Sequence, residues 1–140
     1  MQLRLIAVGR LREPYLIAAA EDFRRRLRPY HRLEEIDVRD DAAVLGRLRP
    51  DDHVWLLERT GTMFSSEELA RRLERLPVEG ISRVTFVIAG ADGAGAALLE
   101  RANVRWSLSP LTFLHEWARA LVLEQLYRAA KIAANEPYHH

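Results

Sequence analysis

The stretch Val84-Thr85-Phe86-Val87-Ile88-Ala89-Gly90-Ala91-Asp92-Gly93-Ala94-Gly95 decides the fold class. Residues 84–89 form the strongest strand pattern in the chain, and their nearly continuous apolar character predicts burial on both faces, as in an interior strand of a parallel sheet. The glycines that follow let a backbone approach a ligand closely and expose its N–H groups. Their order, G-x-x-G-x-G, reverses the dinucleotide fingerprint, and they follow a late strand instead of the first one, so a nicotinamide dinucleotide is not the expected ligand. An ordinary strand-to-helix turn accounts for the same glycines without any ligand.

Outward from this stretch, apolar runs alternate with amphipathic ones, which predicts an α/β protein with a mostly parallel sheet and helices on both faces. Towards the N-terminus, residues 3–8, 33–38 and 53–57 read as further strands, the first ending at Gly9 and the third closed by a turn near Gly61. Pro14 suits a first helical turn, and Tyr15, Ala19, Phe23 and Leu27 recur at helical spacing as far as Pro29. Ser65-Ser66-Glu67-Glu68 has the form of a capping box, and Leu69, Leu73 and Leu76 supply the stripe of the helix behind it. Residues 39–52 are short, charged and poorly patterned. Towards the C-terminus follow a short helix near 96–102, a short strand near 105–107, a long helix from about His115 to Ala134 and a tail, residues 135–140. No repeat, linker or low-complexity segment interrupts the chain, so one domain, residues 1–140, is expected.

The 140 residues include no cysteine, which excludes disulfides, thiolate nucleophiles and Cys-ligated zinc. No paired-carboxylate site and no metal-ligand spacing is present, so no metal is expected. With no apolar run of membrane-spanning length and nothing like a signal peptide, a cytoplasmic location is expected. The formal net charge is only +1, but Arg24, Arg25, Arg26, Arg28 and Arg32 crowd one stretch just after Glu21 and Asp22. That run reads either as a solvated helix face or as a phosphate-contacting patch.

Two further segments carry chemistry-bearing residues. Trp106-Ser107-Leu108-Ser109-Pro110-Leu111-Thr112-Phe113-Leu114-His115 is a semi-apolar, hydroxyl-rich loop entering the last helix. Such a loop can wrap a nucleobase, although from this motif alone Ser109 or Thr112 as a simple helix cap is the more ordinary role. In the final segment Glu124 and Arg128 stand at i and i+4, and the tail offers Tyr138 as a stacking ring and His139 as a group that titrates near neutrality. Terminal histidines also occur as tag remnants.

Taken in order, these motifs resemble the RlmH family of SPOUT methyltransferases along nearly the whole chain. The resemblance rests on Leu5-Ile6-Ala7-Val8-Gly9 with Leu11, on Leu57, Gly61 and Ser65-Ser66-Glu67, and on Ile88-Ala89-Gly90 with Gly93. Its most distinctive parts are Ser107-Leu108-Ser109 through Thr112-Phe113 and His115, then Arg119, Glu124-Gln125, Tyr127-Arg128-Ala129 and the closing Pro137-Tyr138-His139. The resemblance implies a trefoil knot over roughly residues 84–140 and S-adenosylmethionine (SAM) as methyl donor. It implies a cofactor pocket of Leu57, Ala89, Gly90, Leu108, Ser109, Pro110, Leu111, Thr112 and Phe113. The implied reaction methylates N3 of a pseudouridine in the helix 69 region of 23S ribosomal RNA, within the assembled ribosome, by a homodimer whose RNA site spans both subunits. His139 would accept the N3 proton or Arg128 would stabilise the resulting anion, with Tyr138, His140 and His115 towards the RNA. A related enzyme acting on another RNA such as tRNA, and an RNA-binding module without catalysis, are the alternatives.

Three positions depart from the family pattern. Ala89 replaces the first glycine of the usual pair, residues 39–52 are shorter than the lysine-rich helical region of most relatives, and His140 stands where Lys or Arg is common. If the backbone at Ala89 needs a positive φ, the methyl group there costs about 1 kcal/mol or more; otherwise it only adds a methyl beside the ligand. Dimerisation is expected to use the last helix, where Trp117, Ala118, Leu121, Val122, Leu123, Leu126 and Ala130 exceed one narrow apolar stripe.

Overall fold

A computed structural model describes residues 1–140. The elements alternate along the chain as β1 (Gln2–Val8), α1 (Pro14–Leu27), β2 (Arg32–Val38), α2 (Asp41–Arg47) and β3 (His53–Met63). They continue as α3 (Ser66–Val78), β4 (Arg83–Ile88), α4 (Ala96–Arg101), β5 (Val104–Ser107) and α5 (His115–Ala133). The sheet has five strands in the order β2-β1-β4-β3-β5, and every pairing is parallel. Strand β4, the apolar run before the glycine loop, is central, with five of its six residues buried.

Alternation along the strands sorts side chains to two faces. Leu3, Leu5, Trp55, Val84, Phe86 and Trp106 pack under α1, α3 and α5. Ile6, Val54, Leu56 and Val87 pack against Val44 of α2 and Leu98 of α4. Helices therefore cover both faces, with α5 laid between α1 and α3. The capping box of α3 forms as its sequence predicts: Ser65 Oγ accepts the Glu68 N–H at 3.0 Å, and the Glu68 carboxylate accepts the Ser65 N–H.

Three local expectations are corrected. The charged segment after β2 holds a helix, α2, with Asp40 as N-cap accepting the Ala43 N–H at 2.9 Å. Strand β3 does not turn near Gly61; residues between Leu57 and Thr62 bulge outward and pairing to β5 resumes at Thr62. On α1 the buried positions are Leu16, Ala20 and Leu27, so Tyr15 faces out, its ring centroid 5.7 Å from that of Trp117.

The arginine run of α1 and the strand after it is partly neutralised by its own neighbours. Arg24 pairs with Glu35, and Arg25 and Arg26 both pair with Asp22, which leaves Arg28 and Arg32 exposed without an acidic partner. No helix is long and apolar enough to cross a membrane.

At the base of the sheet, buried Asp52 receives Arg4, Arg83 and the backbone N–H of Arg49. Burial pushes its carboxyl pKa up, but the Arg49 N–H and the two guanidinium groups outweigh this and hold it below the ordinary carboxylate value. Asp52→Ala leaves the buried Arg4 with Glu34 at 3.6 Å and the Arg47 carbonyl as its remaining partners, and should destabilise the fold by about 3 kcal/mol in urea denaturation. A depressed folded-state pKa stabilises above the unfolded carboxylate value and loses that contribution as pH falls through the folded one. The wild-type advantage over Asp52→Ala should accordingly shrink as pH falls below about 4 and persist at neutrality.

Candidate functional site

A cleft of about 470 Å³ opens at the carboxyl ends of β3, β4 and β5, where open parallel sheets place their ligands. Each wall follows from a local feature of the chain. After β4, Gly93 adopts φ +85° and donates its N–H to Gly90 O at 2.9 Å, closing a tight turn that holds residues 90–94 along one side. The end of that loop is braced from below: Gly95 N–H donates to Asp41 of α2 at 2.7 Å. The missed helix thus supports the glycine loop.

The opposite wall is the β3 bulge. Ser107 Oγ donates to Arg59 O at 2.8 Å, and Arg59 reaches Pro110 O at 3.4 Å, so the bulge and the Ser-Leu-Ser loop are tied together. Bulges recur beside active sites because they redirect a strand end. The floor is Ile88 and Trp106; Trp106 stands edge-on to both Trp55 and Phe86, with ring centroids 5.9 Å away. The remaining side is the loop that enters α5.

Of the residues expected around a cofactor, Leu57, Ala89, Gly90, Leu108, Ser109, Leu111, Thr112 and Phe113 all line this cleft. Pro110 does not line it and instead offers its carbonyl to Arg59. His115, placed with the RNA residues from sequence, also lines the cleft. Glu58, Arg59, Asp92 and Trp106 line it too and were missed. The first two sit in a strand end whose sequence reads as an ordinary turn, and Asp92 lies in the glycine loop, where spacing alone gives it no role.

Among non-glycine residues only Asn135 has a positive φ, so the methyl of Ala89 causes no backbone strain. Ala89→Gly should therefore relieve nothing, lowering the melting temperature slightly through added chain freedom. A melting temperature raised by several degrees would show strain at this position.

The C-terminal residues gather elsewhere. Glu124 Oε1 accepts Arg128 through Nε at 2.9 Å and Nη2 at 2.6 Å, and Tyr138 OH donates to the same oxygen at 3.3 Å. Arg128 stacks over the Tyr138 ring at 4.7 Å, and Tyr138 meets Tyr127 edge-on at 4.7 Å. His139 Nδ1 is 3.1 Å from Arg128 Nη1, and its Nε2 is 2.6 Å from Glu67 Oε1. The hydrogen bond from His139 holds the Glu67 carboxyl below its ordinary pKa, and the Glu124 contact raises that of Arg128. The tail is docked, and His140 beyond it is exposed. His115 and Arg128 lie thirteen residues apart on α5, about 20 Å at the helical rise. None of Glu67, Glu124, Arg128, Tyr138 or His139 lines the cleft.

The surplus apolar surface of α5 is mostly covered within the chain, since Val122, Leu123, Leu126 and Ala130 are buried. What remains exposed is a patch near the cleft, Trp117, Leu114, Phe113 and Leu111, with Tyr15 of α1 beside Trp117.

An all-parallel sheet with helices on both faces and a mixed apolar and charged cleft at its carboxyl edge defines a doubly wound α/β protein. Within that class, a family model described as predicted SPOUT methyltransferase matches residues 1–139, and the chain belongs to this family. It is 43% identical over 153 residues to the ribosomal RNA large subunit methyltransferase H of Gloeobacter violaceus, covering 100% of this chain and 99% of that protein. The proteins of the same name from Pelotomaculum thermopropionicum and Natranaerobius thermophilus are 40% and 37% identical, with at least 98% of each chain covered.

Proposed function

We propose that this chain transfers a methyl group from SAM to N3 of a pseudouridine in large-subunit ribosomal RNA, in the helix 69 region of 23S RNA. The observation that carries this reading is the cleft, in which the glycine loop and the Ser-Leu-Ser loop meet across a site of ligand size. The full-length likeness to three methyltransferases named for large-subunit RNA supports the substrate.

The residues present fit SAM. Leu108, Leu111, Phe113 and Trp106 offer apolar contact for an adenine, while Ser109 and Thr112 offer hydroxyls. Glu58 and Asp92 bring negative charge towards a sulfonium and an ammonium, and Arg59 brings positive charge towards a carboxylate. When bound, SAM supplies an electrophilic methyl group. The chain's own task is then to orient two reactants in line, exclude water and take up the N3 proton.

His139 and Arg128 suit the last of these tasks, but a single chain holds them about 20 Å along α5 from the cleft wall. A homodimer resolves the separation if one subunit's tail meets its partner's cleft. The apolar patch at Leu111, Leu114, Trp117 and Tyr15, at the mouth of the cleft, is the surface such a dimer would bury. In this reading Tyr138, His140 and the unpaired Arg28 and Arg32 face the RNA. The chain works as one domain, residues 1–140, with residues 84–140 threaded as a trefoil knot, and acts in the cytoplasm on assembled ribosomes. A crystal structure with that segment unthreaded would overturn the knot.

The decisive experiment incubates purified protein and methyl-labelled SAM with ribosomes from cells lacking this gene, then digests the RNA and separates the nucleosides. The expected product is N3-methylpseudouridine from 23S RNA. Label found in tRNA would give the substrate reading to another RNA, and failure of SAM to bind in calorimetry would leave an RNA-binding module without catalysis.

A further inference from the structure

We infer that Glu67 is a positioning residue for the methyl transfer: it holds the His139 imidazole with its proton on Nε2, so that Nδ1, beside Arg128, is the atom that takes the substrate's proton. This rests on the proposed role of His139 in the reaction. Its own basis is the set of partners around the ring.

A guanidinium has five N–H donors and no acceptor. At 3.1 Å from Arg128 Nη1, His139 Nδ1 must therefore be the acceptor and carries no proton. A neutral imidazole then has its proton on Nε2, and that nitrogen sits 2.6 Å from a Glu67 carboxylate oxygen, which accepts it. A proton on Nδ1 would instead point at a permanent cation. The two neighbours thus select one tautomer, each from its own side of the ring.

The Arg128 side chain is itself held, and Glu67 stands on a fixed stretch of backbone. Arg128 is fixed by two bonds to Glu124 Oε1, at 2.9 and 2.6 Å. Glu67 lies in the first turn of α3, behind the Ser65 capping box, and the adjacent Ser66 Oγ lies 2.7 Å from Gln125 Oε1 of α5. The ring is consequently oriented by α3 on one side and α5 on the other.

The outcome is an acceptor, Nδ1, side by side with a donor, Nη1. That pair matches an N–H beside a carbonyl, the edge an imide such as the pseudouridine base presents. When the base displaces the internal Arg128–His139 bond, the N3–H bond breaks towards Nδ1 and the N3 electron pair attacks the methyl carbon. The carbon–sulfur bond breaks with its electrons going to sulfur. Arg128 Nη1 faces the carbonyl oxygen that shares the developing negative charge, and Glu67 faces the imidazolium formed.

The test measures ¹⁵N shifts of the His139 ring alongside single-turnover methylation of ribosomes, for wild type, Glu67→Gln, Glu67→Ala and His139→Ala. Wild type should show a protonated Nε2 and a bare Nδ1 in the neutral ring. In Glu67→Ala the tautomers should mix, with the rate down about tenfold or more and the half-saturating ribosome concentration within about twofold of wild type. Gln still offers an acceptor to Nε2–H, so Glu67→Gln should keep the tautomer and more of the rate. A wild-type ring protonated on Nδ1 overturns the inference, as does a fully active Glu67→Ala alongside an inactive His139→Ala. A fully active His139→Ala would instead overturn the parent reading of His139, whatever tautomer the ring adopts.

Discussion

Deletion of residues 137–140 should reduce methyl transfer to ribosomes by about a thousandfold or more, the scale of a lost acid–base group, while SAM affinity stays within about twofold. The split follows from the two clusters being separate. No residue of the tail lines the cleft, so the pocket formed by the glycine loop and the Ser-Leu-Ser loop should survive the deletion. What disappears is His139 itself, the ring of Tyr138 over Arg128 and the tail's cover on Tyr127. Because Tyr138 packs against the main core, the melting temperature should also fall, by a few degrees. Calorimetry with SAM and a methylation assay on the same preparation check both halves. Wild-type activity after the deletion would reduce the tail to a decoration. Loss of SAM binding together with folding would make it structural and remove His139 from the chemistry.

Gly61→Ala should be among the most damaging single methyl additions in the chain. An added Cβ would lie 2.6 Å from the carbonyl carbon of Arg105, closer still to its oxygen, and 3.0 Å from Glu58 O. All three atoms are backbone, so no side chain can swing away, and the bulge or β5 must move. The overpacking should destabilise the fold by about 2–3 kcal/mol, or roughly 5–10 °C in melting temperature for a chain of this size. The same shift should weaken SAM binding about tenfold or more, since the bulge carries Leu57, Glu58 and Arg59 into the cleft wall and displaced contacts are worth kilocalories. Thermal melting and calorimetry measure the two effects. An unchanged melting temperature would mean that the bulge does not sit against Arg105, and the cleft wall would have to be rebuilt.

The sequence alone determined whatever depends on neighbours along the chain or on composition. The apolar run 84–89 marked the central strand because a strand buried on both faces has no polar alternation to obscure it. The capping box of α3 was legible because its partners are three residues apart. The glycine loop and the Ser-Leu-Ser loop were recognisable as motifs, and nearly all of the residues they contributed do line one cleft. Helix α2 was legible in principle, since Asp40 is a standard N-cap, but at seven residues its periodic signal is shorter than two turns.

The tertiary structure decided what depends on residues distant in sequence. That Gly61 lies in a bulge and not a turn is set by Arg105, a strand away. That Asp41 braces the glycine loop is set by a contact across 54 residues. How much of the apolar face of α5 the fold itself covers cannot be read from a single helix; α1 and α3 cover most of it, and Trp117 stays exposed. Glu67 and His139 are 72 residues apart and meet only because α3 and α5 pack side by side. Such meetings depend on how the helices pack on the sheet, and local propensity and spacing carry no information about that packing.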